Sequence, residues 1–239
     1  MKRFDWDQLI VSSPSKASWT EGRQVLNFYS YDRDYRESEE ACAFVGKYLS
    51  RAEALDIDAF VLKYAVEHVT IDGAFLEMGV CTGRTINFIA ALQPTQKIYG
   101  FDSFQGLPEL WTRSDSNIPK GTFAVKDENW VPPVLHNVIL IKGLFQNTLP
   151  KFKEEILCEK PIAFLHIDCD IYSSTRDVFH FLGDAIVSGT LILFDELYNY
   201  PGASDHEFNA FQEFLARTGK KTEYLAYNQY FQQVVVRIE

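Results

Sequence analysis

The sequence predicts a doubly wound α/β fold. The expected core is a mostly parallel sheet with helices on both faces, preceded by a helical extension and closed by an antiparallel hairpin. Three observations carry this. From residue 74 onward, short apolar runs alternate with segments of helical period, the pattern of a parallel sheet joined by crossover helices. The runs at 162–167 and 190–194 are continuously apolar, as expected of strands buried on both faces. The last two strand patterns are joined by Asn228-Gln229, a connection short enough for a hairpin.

In chain order, residues 1–36 mix aromatics with charges and break at Ser13-Pro14-Ser15. They read either as an arm over a partner subunit or the active site, or as a loosely packed leader. Ala41, Phe44, Val45, Tyr48 and Leu49 then fall at helical spacing behind a capping Ser38, and Ile57, Phe60, Val61, Tyr64 and Ala65 repeat the pattern. Strands are expected at 74–78, 97–101, 137–141, 162–167 and 190–194, with helices at 85–92 and 172–182. Ser204-x-x-Glu207 reads as a capping box for a helix that carries Phe208, Phe211, Phe214 and Leu215 and stops at Gly219. Strands at 224–226 and 231–238 complete the hairpin. The division is 1–70, an arm and helices packed on the core, and 71–239, the main domain.

Composition narrows the function. The chain of 239 residues has 23 Lys plus Arg against 33 Asp plus Glu, a net charge of −10. With no basic block, it is a poor match for nucleic acid or an anionic membrane. Apolar residues make up 46 %, which excludes a disordered chain. Cys42, Cys81, Cys158 and Cys169 are widely spaced, which suits neither a disulfide framework nor a zinc site. No apolar run follows the two basic residues at the N-terminus, and none reaches the length of a membrane span. A cytoplasmic globular protein is expected.

Residues 102–136 form a connection about twice as long as a crossover helix requires. It holds Trp111, Trp130 and several Gly and Pro residues. Long structureless connections in compact domains are usually functional, so it reads as a lid or substrate wall, against a surface excursion.

Four motifs then stand at expected strand ends, where ligands bind in such sheets. The first is Glu77-Met78-Gly79-Val80-Cys81-Thr82-Gly83. Its glycines permit a tight turn into a helix N-terminus, but Cys81 stands where a pyrophosphate site wants a further glycine. Glu77 suits a ligand ammonium group or a polar loop network. The second is Asp102-Ser103, 19 positions after Gly83, where a carboxylate accepts ribose hydroxyls or caps the next segment. The third and fourth are Asp168-Cys169-Asp170 and Asp195-Glu196. If their strands are neighbours, four acids meet on one rim. Their repulsion is relieved by a divalent cation such as Mg²⁺, Ca²⁺ or Mn²⁺; otherwise they cap the following helices.

The glycine motif and Asp102, on this alternation, resemble class I S-adenosylmethionine-dependent methyltransferases, whose fold is Rossmann-like. More narrowly, Phe101-Asp102-Ser103-Phe104-Gln105-Gly106-Leu107-Pro108, the string from His166 to Thr175, and Asp195-Glu196 resemble the macrocin O-methyltransferase family. That resemblance covers roughly residues 70–238. It implies a metal-dependent enzyme that methylates a hydroxyl of a sugar or natural product. By position, Glu77, Gly79, Val80, Thr82 and Gly83 line the methionine part of S-adenosylmethionine. Asp102 and Ser103 hold the ribose, Gly143 and Phe145 lie by the adenine, and Asp168 borders the cofactor. Asp168, Asp195 and Glu196 correspond to ligands of Mg²⁺ or another divalent cation, and Asp170, with Asp168, to the catalytic acids. Two departures stand out. The family's second acidic pair is usually Asp-Asp, and Ile171 stands where catechol-type enzymes place a lysine base.

Methyl transfer from a sulfonium to oxygen is an in-line displacement, so positioning contributes much of the catalysis. Asp170 is the expected base, and the cation would stabilise the developing alkoxide. His166 either orients Asp168 or packs in the core. His206 is an alternative base. Tyr172, Phe145 and Tyr198 either face the sulfonium or belong to the core. A homo-oligomer built on the leader and early helices is open. The rival readings are a metal-independent methyltransferase and a non-catalytic adenosine-binding protein of the same fold.

Overall fold

The computed structural model describes residues 38–125 and 130–239. The readings made for residues 1–36 lie outside the described residues. Helix α1 (Glu39–Phe44) starts where expected, with the Ser38 hydroxyl accepting from the Ala41 N–H at 3.1 Å. It runs into a wider turn at Val45–Leu49. Strand β1 (Glu53–Leu55) follows, then α2 (Asp58–Glu67), β2 (Ala74–Met78), α3 (Arg84–Leu92) and β3 (Ile98–Asp102). The long connection holds a small hairpin of β4 (Trp111–Thr112) and β5 (Asn117–Ile118). After it come β6 (Val138–Lys142), α4 (Phe145–Phe152), β7 (Ile162–Ile167), α5 (Tyr172–Leu182), β8 (Ile186–Phe194), α6 (Glu207–Thr218), β9 (Thr222–Asn228) and β10 (Val234–Ile238).

The main sheet has eight strands in the order β1-β9-β10-β8-β7-β2-β3-β6. All neighbours are parallel except β10, which runs antiparallel between β8 and β9. The chain lays β3 and β6 to one side of β2, then returns to place β7 on the other side. That reversal is the switch point at which such sheets bind ligands.

The pleat sorts side chains between two cores. Leu76, Met78, Leu165, Ile167, Ile192 and Phe194 pack under α4, α5 and α6. Phe75, Phe164, Leu191 and Leu193 pack under α2 and α3. Helices therefore cover both faces, and β2 and β7 are buried along their whole length. That accounts for their largely apolar runs, broken only by Glu77 and His166.

Three features depart from the sequence reading. Strand β1 was not expected; its three residues reach the sheet by pairing with β9, more than 160 positions away. Helix α4 was not expected either, and it holds Pro150 in its body. The capping box at Ser204 does not form. Ser204 lies in a short turn at Ala203–Asp205, and α6 begins at Glu207 with no side-chain cap. Among the described residues, no helix is long and apolar enough to cross a membrane, and no disulfide joins the four cysteines.

Candidate active site

The ladder between strands continues one residue past their carboxyl ends. The Gly79 N–H donates to Phe101 O, the Asp168 N–H to Met78 O and the Asp195 N–H to Ile167 O, each at 2.9 Å. The glycine turn and both acidic turns therefore stand abreast, with Asp102 beside them at the end of β3. Left-handed backbone gathers on the same rim, at Gly79, Cys81, Gly83, Asp170 and Asn199. Such excursions cost energy in residues other than glycine and concentrate at functional sites.

Gly79 is required by packing. Its φ is +95°, and a Cβ there would lie 1.7 Å from the Asp168 carbonyl oxygen. Close approach of the glycine turn to the first acidic turn thus needs a residue without a side chain. Gly83, at φ +81°, lies under Pro132, whose Cβ would be 2.9 Å from an added methyl.

Asp102 serves the turn directly. Its Oδ2 accepts from the N–H groups of Val80 at 2.8 Å and Cys81 at 2.7 Å, and its Oδ1 accepts from Phe104 N–H at 2.7 Å. It therefore caps the backbone, the alternative that the sequence reading left beside the ribose. Three of the carboxylate's four lone-pair sites are thereby used, and Oδ1 keeps acceptor capacity for one more donor. Ser103 uses its hydroxyl to accept from Gln105 N–H at 3.1 Å. Thr82, Gly143 and Phe145 are half-buried on the same rim, and Val80 is buried.

Glu77 takes part in a polar network, the other use the sequence reading gave it. It is fully buried; Oε1 accepts from the Thr85 hydroxyl at 3.0 Å, and Oε2 pairs with His166 Nδ1 at 3.0 Å. Pleat parity explains this, since Glu77, His166 and Asp195 share the α2–α3 face of adjoining strands. His166 Nε2 stands 3.7 Å from Asp195 Oδ1 and has no hydrogen-bond partner among the described residues. Asp195 Oδ1 also accepts from Gln233 Nε2 at 3.0 Å, and Gln233 Oε1 accepts from Asn228 Nδ2 at 2.9 Å. A polar chain thus crosses the sheet beneath the rim, from α3 to the closing hairpin.

The charges follow from this chain. Burial works against a proton on His166, but the neighbouring carboxylates of Asp195 and Glu77 prevail, and its pKa is raised to about 10. Burial likewise opposes ionisation of Asp195, yet His166, Arg84 and Gln233 hold its pKa below the usual value. Burial, with Asp195 next, pushes Asp168 well up. Burial, then Asp195 and Asp102, raises Asp170 to about 7, with Arg113 pulling the other way.

Asp168, Asp195 and His166 place one ligand atom each within 4.8 Å of one another. Two carboxylates and an imidazole, with Nε2 lacking a hydrogen-bond partner, fit a divalent cation that displaces the His166 proton. Glu196, expected in that set, turns the other way from its neighbour. It is buried, its N–H donates to Glu207 Oε2 at 3.2 Å, and its Oε2 has no partner among the described residues. His166 is the third residue of that cluster; the sequence reading had it either orient Asp168 or pack in the core. Glu207 was missed altogether, because its spacing from Ser204 was read as a cap.

The long connection is tied down over this rim. Asn87 donates to Pro133 O at 3.0 Å and accepts from Leu135 N–H at 2.8 Å. The Ser173 hydroxyl donates to Glu109 at 2.6 Å. His206 Nε2 donates to Thr112 O at 2.8 Å, so this histidine is a structural tie. Burial lowers its pKa. Arg113 lies over the Tyr200 ring at 4.6 Å. Tyr198 and Tyr172 are committed elsewhere, to Asn228 O at 2.5 Å and Glu213 at 2.7 Å.

The macrocin O-methyltransferase (TylF) family model matches residues 58–222. No curated protein matched the sequence. Among solved structures, the calicheamicin methyltransferase CalS11 is similar at 24 % identity and TM-score 0.59, over 75 % of this chain and 78 % of that one. The O-methyltransferase NovP is similar at 21 % identity and TM-score 0.53, over 75 % and 78 %. These likenesses establish the fold. The family match spans most of the chain and takes in all four rim motifs: this protein belongs to the macrocin O-methyltransferase family.

Proposed function

We propose that the protein transfers a methyl group from S-adenosylmethionine to a hydroxyl of a sugar or other natural-product small molecule, with a divalent cation such as Mg²⁺ assisting. The observation that supports it most is the common rim, where the glycine turn, Asp102 and both acidic turns stand abreast in a chain of this family. A structure of CalS11 describes that protein as a TDP-rhamnose 3'-O-methyltransferase, which favours a sugar acceptor here. The net charge of −10 argues against nucleic acid or an anionic membrane as partner.

In this reading, residues 71–239 form the catalytic unit, the helices within residues 38–70 pack against it, and the connection 102–136 acts as the lid. The turn 79–83, Asp102 and Ser103 hold the donor, with Gly143 and Phe145 beside its base. Asp168, Asp195 and His166 would hold the cation, with Glu196 behind them, and the cation supplies Lewis-acid stabilisation of the acceptor oxygen. Asp170 accepts the hydroxyl proton, and the lid keeps water away.

Calorimetry with S-adenosylhomocysteine tests the donor site; absence of binding at millimolar ligand sinks it. Methyl transfer to a panel of free and nucleotide-linked deoxysugars, with and without EDTA, tests the rest. Asp170→Asn should cut turnover about a hundredfold or more and leave S-adenosylhomocysteine affinity unchanged. A second reading, transfer without a metal, is favoured by one observation: the charge on His166 already offsets Glu77 and Asp195. Full turnover in EDTA would select it.

A further inference from the structure

The turn after β8, which carries Asp195, is bound to the tip of the β9–β10 hairpin. The Leu197 N–H donates to Gln232 O at 3.1 Å, the Tyr198 hydroxyl to Asn228 O at 2.5 Å and Asn199 Nδ2 to Phe231 O at 3.0 Å. The antiparallel register that sets Val234 against Phe194 puts Gln233 opposite Asp195. There Gln233 Nε2 donates to Asp195 Oδ1 at 3.0 Å.

A side-chain amide has a donor end and an acceptor end, and the hairpin decides which one Asp195 meets. Asn228 Oδ1 accepts from the N–H groups of Tyr230 at 3.0 Å and Phe231 at 3.1 Å. Only the oxygen of that amide can accept them, so Nδ2 is the end left for Gln233, whose Oε1 accepts from it at 2.9 Å. The nitrogen of Gln233 is thereby turned to Asp195. Both amides are buried. Reversing Gln233 would set donor against donor at Asn228 and oxygen against oxygen at Asp195, a costly exchange away from water.

We propose that Gln233 is a positioning residue for Asp195, and that Asn228 fixes the direction of its amide, so that the hairpin turn holds the carboxylate in one rotation. Neither residue is base or cation ligand. The consequence for cation binding rests on the reading given under the proposed function; the direction of the amide does not.

A double-mutant cycle of Asn228→Asp and Gln233→Leu tests this, with Mn²⁺ as probe and circular dichroism to check folding. Asn228→Asp keeps the acceptor for the Tyr230 and Phe231 N–H groups but offers Gln233 an oxygen, so the Gln233 amide should turn over. Each single variant should bind Mn²⁺ about tenfold or more weakly, as loss of a partner that supports a metal ligand does. The double variant should be no worse than Gln233→Leu. Gln233→Glu, which keeps the shape but presents oxygen to Asp195, should lose affinity too and serves if the leucine variant does not fold. Wild-type affinity in any single variant overturns the proposal, and so do losses that multiply in the double variant. If the wild type binds no Mn²⁺, the cation reading fails, and the same cycle is read from the carboxyl ¹³C resonance of Asp195. Asn228→Asp should then shift that resonance in the wild-type background and leave it in place beside Gln233→Leu. An equal shift in both backgrounds, or none in either, overturns the proposal.

Discussion

His166 stands between two carboxylates on neighbouring strands, with Nδ1 3.0 Å from Glu77 Oε2 and Nε2 3.7 Å from Asp195 Oδ1. Removing the ring while keeping apolar bulk, as in His166→Leu, leaves two buried acids without their cation. Breaking such a pairing from one side costs about 3–5 kcal/mol. Urea denaturation should show that loss, with His166→Gln losing less. The wild type should also weaken in alkali. The raised pKa means that the contribution is whole below about 6.5 and is lost as the pH climbs through about 10.

Asp102→Ala should loosen the glycine turn. Three backbone N–H groups, of Val80, Cys81 and Phe104, lose their acceptor. Each buried donor left unmade costs about 1–3 kcal/mol, less whatever water restores. The variant should lose both thermal stability and S-adenosylhomocysteine affinity. Asp102→Asn, which keeps one acceptor oxygen, should fall between.

Gly79→Ala should be more damaging than an alanine elsewhere on the rim. The new methyl would meet the Asp168 carbonyl at 1.7 Å in a backbone of φ +95°. Overpacking of this kind costs about 1–3 kcal/mol or more. A stability near the wild type's in chemical denaturation would contradict the close approach of the two turns.

The tie between His206 and Thr112 O should be pH-sensitive. Burial holds His206 below its ordinary 6.5 and outweighs the Thr112 carbonyl and Asp205, which favour its charge, with Arg113 also opposing it. A depressed histidine leaves full stability above about 6.5, and the contribution falls away as the pH drops from there through the lowered value. Limited proteolysis of the 111–118 hairpin should therefore quicken between pH 7.5 and 5. His206→Gln, which donates a hydrogen bond without titrating, should flatten that dependence.

Much of this was legible in the sequence. Largely apolar runs located β7 and β8, and helix 172–182 fell on its expected bounds. The acids were found because their motifs end those strands, and the register that sets them abreast follows from parallel neighbours. What stayed hidden depends on contacts distant in sequence. Strand β1 is three residues long and exists through β9. The spacing of Ser204 and Glu207 suits a cap, and only burial beside Glu196 sends that carboxylate elsewhere. Asp195 and Glu196 take different partners, Gln233 for the first and the Glu207 carboxylate for the second's N–H, which adjacency in sequence does not reveal.

The cover over the rim is fastened in two independent halves. Asn87 holds the Pro133–Leu135 stretch above the glycine turn, while His206 and Ser173 hold the hairpin half above the acids. On the proposed reading, one half can loosen while the other stays fastened, so donor and acceptor need not bind in a fixed sequence. Steady-state kinetics of such an enzyme should show random rather than compulsory order.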